Sequence, residues 1–270
     1  MPLSSFQRDL CRLLSASRIA SGQSYVAGGS ALNEVLGAPR LSRDVDVFHD
    51  TLEALDATWQ ADRELLKAAH YGIDILRERS GFVEAEVHQG GERVLVQWLR
   101  DSAFRFFPLQ AHPDLGLTLH PFDAATNKML ALAGREEPRD WIDALTCHHK
   151  VAPLGLLAWA ACGKDEGWNP QLILEEAARN ARMSRAELGE IEWDGPAPDF
   201  AVLKGQWRQA WREAHLTLEI LPPAQAGKAV LQNNGEVFRG NNAELSTALH
   251  QQLRFHDGHI GGAWPQIKIL

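Results

Sequence analysis

Tyr25-Val26-Ala27-Gly28-Gly29-Ser30-Ala31-Leu32 and, with thirteen residues intervening after Ser30, Asp44-Val45-Asp46-Val47-Phe48 are the stretch that decides the fold. Tyr25 to Ala27 is short and apolar, Gly28-Gly29-Ser30 signals a tight turn, and Ala31, Leu32, Val35 and Leu36 recur at helical spacing until Gly37 closes the run. The pattern predicts a strand, a glycine turn and a helix. Asp44 to Phe48 alternates polar and apolar at period two, which predicts a second strand with both aspartates on one face. Two carboxylates so placed suit a hard divalent cation with oxygen ligands, Mg²⁺ being the natural one. Glycines at a helix start let backbone N–H groups, and here the Ser30 hydroxyl, approach a phosphate where the helix dipole favours negative charge. Each half is common by itself, since Gly-Gly-Ser turns abound and an Asp-x-Asp strand is more often a solvated edge. Their conjunction puts a phosphate cradle directly ahead of a metal-binding strand.

Upstream, Phe6, Leu10, Leu13 and Leu14 share a helix face that ends near Ser21-Gly22. Downstream, a helix is expected from about Leu52 to Ala69, then strands over Ile73–Leu76, Phe82–Val87 and Arg93–Leu99, the last two joined by the hairpin signal Gln89-Gly90-Gly91-Glu92. From Pro121 the pattern turns helical: Phe122–Ala133, Arg139–His149, Pro153–Ala161, Pro170–Ala181 behind an Asn169 cap, and Ser184–Ile191 with a Ser184/Glu187 capping box. Gly195-Pro196-Ala197-Pro198 reads as a linker, and a long helix carrying Trp207 and Trp211 runs on to the break at Pro222-Pro223. Val230-Leu231 and Val237-Phe238 around Asn233-Asn234-Gly235 read as a hairpin, followed by a helix near Ala243–Leu253 and a loop-like end from Gly258 to Pro265. The expected organisation is an α/β (α+β) core with a mixed sheet over residues 1–120, a helical region over 121–221 that completes the site, and a small α+β element over 222–270.

The 270 residues carry 27 Lys+Arg against 35 Asp+Glu, a formal charge of −8, which argues against coating nucleic acid or anionic membrane through bulk charge. The longest nearly apolar stretch, Val151 to Gly163, is too short to span a bilayer, and the N-terminus lacks the apolar core of a signal peptide. A cytoplasmic protein with no membrane partner is expected. Cys11, Cys147 and Cys162 form no CxxC pair and leave an odd thiol, which fits a reducing compartment and small buried side chains. Nine Trp without a fixed period indicate core packing and no repeat architecture. Gly28-Gly29 extends neither to GxGxxG nor to a P-loop, which disfavours Rossmann cofactors and Walker ATPases. His148-His149, His256 and His259 lack metal-ligand spacing, and Phe104-Arg105-Phe106-Phe107 is more simply a packed loop than a base-stacking platform.

Strand, Gly-Ser turn, helix and Asp-x-Asp strand together resemble the signature of the DNA polymerase β-like nucleotidyltransferases. Arg40-Leu41-Ser42-Arg43-Asp44-Val45-Asp46 further resembles the RxSxDxD form of the AbiEii-type branch, which includes type IV toxins and the MenT toxins. Asn127-Lys128-Met129-Leu130-Ala131-Leu132, Arg135 and Arg139-Asp140-Trp141-Ile142-Asp143 are similar to that branch's KxxAL..R...RDxxDL block, so the likeness covers Tyr25 to about Lys150. It implies a Mg²⁺-dependent transfer of NMP from an NTP, with two ions on Asp44 and Asp46 activating the nucleophile and stabilising the departing pyrophosphate. It assigns Gly28, Gly29, Ser30, Arg40, Ser42 and Lys128 to the nucleotide, and Asp44, Asp46, Lys128 and Asp140 to catalysis. Asp143 is expected to be structural. The implied acceptor is RNA, particularly a tRNA 3′ end, with a protein or small molecule kept open by the acidic balance and a cognate antitoxin as the implied partner.

Without the resemblance, Lys128, Asp140 and Asp143 read as a solvated ion-pair ladder, with Arg135 and Arg139 four apart on another face. One departure from the superfamily stands out. The strand expected to bring a third carboxylate carries Gln97, and an amide is no base. Asp101 and Glu86 are the nearby substitutes. The departure keeps a non-catalytic nucleotide-binding module as the alternative function, with an aminoglycoside-type enzyme as the third.

Overall fold

The computed structural model describes residues 2–249 and 253–266. The chain forms two units, one of Met1–Ala103, Leu109–His120 and Glu192–Gly195, the other of Phe104–Pro108, Pro121–Ile191 and Pro196–Leu270.

The first unit runs α1 (Ser5–Ser21), β1 (Ser24–Ala27), α2 (Gly28–Leu36), β2 (Asp44–His49), α3 (Leu52–Ala68), β3 (Gly72–Arg79), β4 (Phe82–Gln89) and β5 (Glu92–Arg100). After β6 (Phe104–Arg105), which belongs to the second unit, come β7 (Gln110–His112) and β8 (Gly116–Thr118). Seven strands form a mixed sheet in the order β3-β4-β5-β2-β1-β8-β7, parallel at β2/β5 and β1/β8 and antiparallel elsewhere. Every element read from Phe6 to Leu99 is in place. β7 and β8 were not expected, because three residues show no periodicity. Tertiary pairing makes them, with Gly116 (φ 79°) so close to the Ser15 backbone of α1 that a Cβ would lie 3.1 Å from it.

Alternation positions the site. On β2 the odd residues Val45, Val47 and His49 are buried, and the two valines pack in one core with Leu10 and Leu14 of α1, Leu55, Trp59 and Leu66 of α3, and Val83, Ala85, Val96 and Trp98 of the neighbouring strands. Burying each such aliphatic side chain contributes about 1.5–3 kcal/mol. The even residues Asp44, Asp46 and Phe48 are thereby turned to the other face, where they stay half-buried. The core also hides a polar cluster that the sequence does not announce. Arg18 and Asp62 are fully buried, and Trp98 Nε1 donates to Asp62 at 2.8 Å.

The second unit continues with α4 (Pro121–Gly134), α5 (Pro138–Lys150), α6 (Leu154–Ala161), α7 (Pro170–Asn180), α8 (Arg185–Glu190), α9 (Phe200–Ile220), β9 (Ala229–Gln232), α10 (Asn242–Ala248), β10 (Leu253–His256) and β11 (His259–Ile260). The caps read from sequence form: Asn169 on α7 and the Ser184/Glu187 box on α8. In the tail, one expectation is extended and one is corrected. The hairpin around Asn233–Gly235 forms, with Leu231 bridging Val237 and the Gln232 and Phe238 N–H groups donating to the Glu236 and Val230 carbonyls, and β9 pairs in addition with β10. Val230 packs with Leu156, Trp159, Leu221, Phe238 and Leu245, and Leu253 and Phe255 of β10 close that cluster. The helix expected over Ala243–Leu253 ends at Ala248; residues 250–252 lie outside the described residues, and Leu253 opens a strand. The loop-like end is pinned as well, because β11 pairs with β6. Among the described residues no helix is long and apolar enough to cross a membrane.

Candidate active site

Gly28 stands at the junction of β1 and α2 with φ 71°, a conformation open to glycine. A Cβ there would sit 2.0 Å from Asp46 Oδ2, so the turn and the Asp-x-Asp strand share one contact. Register explains it: Ala27 is the cross-strand partner of Asp46. The first turn of α2 has no side-chain cap, since its N-cap is Ala27, which leaves early N–H groups of the helix for an anion. Asp44 is oriented by Ser42, whose hydroxyl donates to its Oδ1 at 2.9 Å. Ser42 is in turn held by Gln7 Nε2 on its carbonyl at 2.9 Å.

Other residues assigned to the nucleotide sit differently. Ser30 is buried, with its hydroxyl directed at the Ala27 carbonyl at 3.5 Å. Arg40 is buried too; its guanidinium donates to the Leu41 carbonyl at 3.0 Å and its backbone bridges Trp193 of the returning segment.

Across the sheet from Asp46 the in-register neighbours are Gln97 on β5 and Glu84 on β4. Gln97 thus occupies the place where a third carboxylate was sought. Gln97 Nε2 donates to Glu84 Oε1 at 2.8 Å, and Glu84 is 9% exposed with Arg77 3.5 Å away. Neither proposed substitute reaches this row. Glu86 is opposite Leu95 and pairs with Arg93 at 2.7 Å, while Asp101 lies beyond the end of β5, four residues or about 13 Å along the strand.

In the second unit, Lys128 on α4 lies 2.8 Å from Asp140 and 3.0 Å from Asp143 on α5. Arg135, just past the end of α4, takes the other Asp140 oxygen at 2.7 Å. Both carboxylates are buried, 1% and 0% exposed, so the reading as a solvated ladder is corrected, as is the placing of Arg135 and Arg139 on one helix face, since Arg135 precedes α5. Arg139 instead contacts Glu137. Burial by itself would drive the Lys128 ammonium to shed its proton, but Asp143 and Asp140 outweigh it and hold its pKa above the ordinary lysine value. Burial would likewise raise Asp140, yet Lys128 and Arg135 keep it below the usual carboxylate range.

Sequence reading missed a second buried pair in this unit, Lys164 with Asp123 at 2.9 Å, where Asp123 also accepts from the backbone of Phe106 and Phe107. No motif marks it; Asp123 and Lys164 are 41 residues apart. A cavity of about 230 Å³ opens between the α5/α6 junction and α9, with His149, Glu213 and Arg239 on its walls, and none of the predicted site residues lines it.

No protein family matches the sequence, and no curated protein matches it significantly. Solved structures do. The likeness is one of fold, a mixed α+β core. It is similar to MenT4, a nucleotidyltransferase toxin of Mycobacterium tuberculosis, with a TM-score of 0.52 at 15% identity over 81% of this chain and 85% of that one. It is also similar to JHP933 of Helicobacter pylori, with a TM-score of 0.50 at 16% identity over 80% of this chain and 95% of that one.

Proposed function

We propose that the protein is a Mg²⁺-dependent nucleotidyltransferase that moves NMP from an NTP to an acceptor. The contact between Gly28 and the Asp46 carboxylate carries the reading, because it brings a glycine turn at a helix start and a strand with two carboxylates to one point. The donor set is two carboxylates on one open strand face, oxygen ligands suited to Mg²⁺. When bound, one or two such ions would neutralise triphosphate oxygens and the leaving pyrophosphate. The chain's own part is to hold and orient. Asp44, fixed by Ser42, and Asp46, seated against Gly28, are the metal ligands; Gly28, Gly29 and Ser30 at the start of α2, with Arg40, Ser42 and Lys128, serve the nucleotide. Lys128 neutralises triphosphate charge, and Asp140 positions it or the acceptor.

We further propose RNA, such as a tRNA 3′ end, as acceptor, a cognate antitoxin as partner and the cytoplasm as the place of action. Support comes from the RxSxDxD resemblance and the likeness of fold to a nucleotidyltransferase toxin. Gln97 in the third-acid position favours a second reading, a nucleotide-binding module without turnover. One assay separates them. The protein is incubated with each α-labelled NTP, Mg²⁺ and total cellular RNA, beside Asp44→Asn and Asp46→Asn. Label entering an RNA size class with the wild type and with neither variant is the expected result; nucleotide binding without transfer favours the second reading, and full activity in both variants refutes the site.

A further inference from the structure

Asp44 and Asp46 are two ligands where a divalent cation takes six or more, and among the described residues no third His, Cys, Asp or Glu joins them. The next side chain in the row is an amide. We propose that Gln97 supplies a neutral amide oxygen to the cation, and that Glu84 is the positioning residue that turns this oxygen toward it; the inference rests on Asp44 and Asp46 being metal ligands, as read above.

Three observations place the oxygen. Gln97 is the in-register partner of Asp46 on the adjacent parallel strand. Alternation puts Asp44, Asp46, Gln97 and Glu84 on the same face, since Val45, Val47, Val96, Trp98, Val83 and Ala85 occupy the core side. The hydrogen bond at 2.8 Å to Glu84 then fixes which end of the amide is which. An ionised carboxylate only accepts, so the Gln97 NH₂ must face Glu84 on β4. The carbonyl oxygen is left on the side away from β4, where β2 and Asp46 lie. Glu84 does not ligate the same ion itself. Two strand spacings, about 9.6 Å, separate its backbone from that of Asp46, and its carboxylate is already engaged by Gln97 and Arg77. A carbonyl oxygen is an ordinary ligand for hard cations, and a neutral one leaves the site two negative charges in place of three.

Mn²⁺ is the probe, with free Mn²⁺ followed by electron paramagnetic resonance and each variant checked by thermal melting. Gln97→Ala is expected to weaken Mn²⁺ binding at least about tenfold, and Glu84→Gln, which frees the amide to flip, by a similar factor, the range usual for groups that orient metal ligands. Gln97→Glu in the Glu84→Gln background introduces a charged ligand with no like charge on its β4 side and should bind at least as tightly as the wild type. Asp44→Asn is the reference. If it binds Mn²⁺ as the wild type does, the metal reading fails. If it loses Mn²⁺ while Gln97→Ala and Glu84→Gln bind normally, the metal reading stands and the role given to Gln97 and Glu84 is overturned.

Discussion

Gly28→Ala separates backbone strain from carboxylate placement. A methyl group at Gly28 lands 2.0 Å from Asp46 Oδ2 and 2.9 Å from its Cγ, whereas real Cβ contacts do not fall below 3.0 Å, so the carboxylate must retreat by at least about 1 Å. The obstacle is the end of a rotatable side chain and yields cheaply. Stability therefore falls mainly through φ 71°, at about 1–2 kcal/mol for an L-residue, which corresponds to about 2–8 °C in Tm. Function falls further, since misplacing a reacting group by about 1 Å can reduce turnover about 100-fold. The assay pairs thermal melting with NMP transfer and Mn²⁺ titration, in the wild type and in Asp46→Ala. The latter background removes the atoms at 2.0 and 2.9 Å and leaves only the Asp46 Cβ position at 3.2 Å, so Gly28→Ala should there shift Tm by a similar amount and leave the already weak Mn²⁺ binding where it was. Wild-type transfer and Mn²⁺ affinity in Gly28→Ala would refute the coupling of turn and strand.

Lys128→Ala strips the cation from two buried carboxylates and should destabilise the second unit by about 3–5 kcal/mol besides abolishing transfer, both seen by melting and turnover. Lys128 has a raised folded pKa, so its contribution is complete below the unfolded lysine value and fades as pH rises through the folded one; Asp140 has a lowered folded pKa, so its contribution is present above the unfolded carboxylate value and fades as pH falls through the folded one. The stability gap between wild type and Lys128→Ala should thus be widest near neutral pH and narrow in acid below about pH 4, as melting across that range checks. His49 is pushed down to about 4 by burial, so protonation opposes folding and stability is lost as pH falls from about 6.5 toward 4; His49→Gln should flatten that part of the Tm–pH curve, and an unchanged acid limb would contradict it.

Legibility in the sequence followed periodicity and local chemistry. Val45, Val47 and the two aspartates between and before them declare both a strand and its two faces, because the side-chain period of a strand is two whatever lies around it. Capping residues such as Asn169 and Ser184 declare helix starts because they satisfy N–H groups two or three residues away. The conjunction of Gly28 with Asp46 was readable for the same reason, as a turn and a strand close in sequence.

Tertiary structure decided whatever depends on partners distant in the chain. It added β10 as a second partner of β9 beside the local hairpin, where Leu253 and Phe255 pack against the cluster around Trp159 and Leu221. It made strands of Gln110–His112 and Gly116–Thr118, which carry no pattern of their own. It withdrew Ser30 and Arg40 from the surface and set Lys128 against the buried Asp140 and Asp143, since exposure is a property of what packs above a residue and leaves no trace in its spacing. It also set Gln97 between Asp46 and Glu84. The alternation of β5 gave the face, but only the sheet order β4-β5-β2 gave the neighbours, because strand order is fixed by hydrogen bonds between segments that the sequence places far apart.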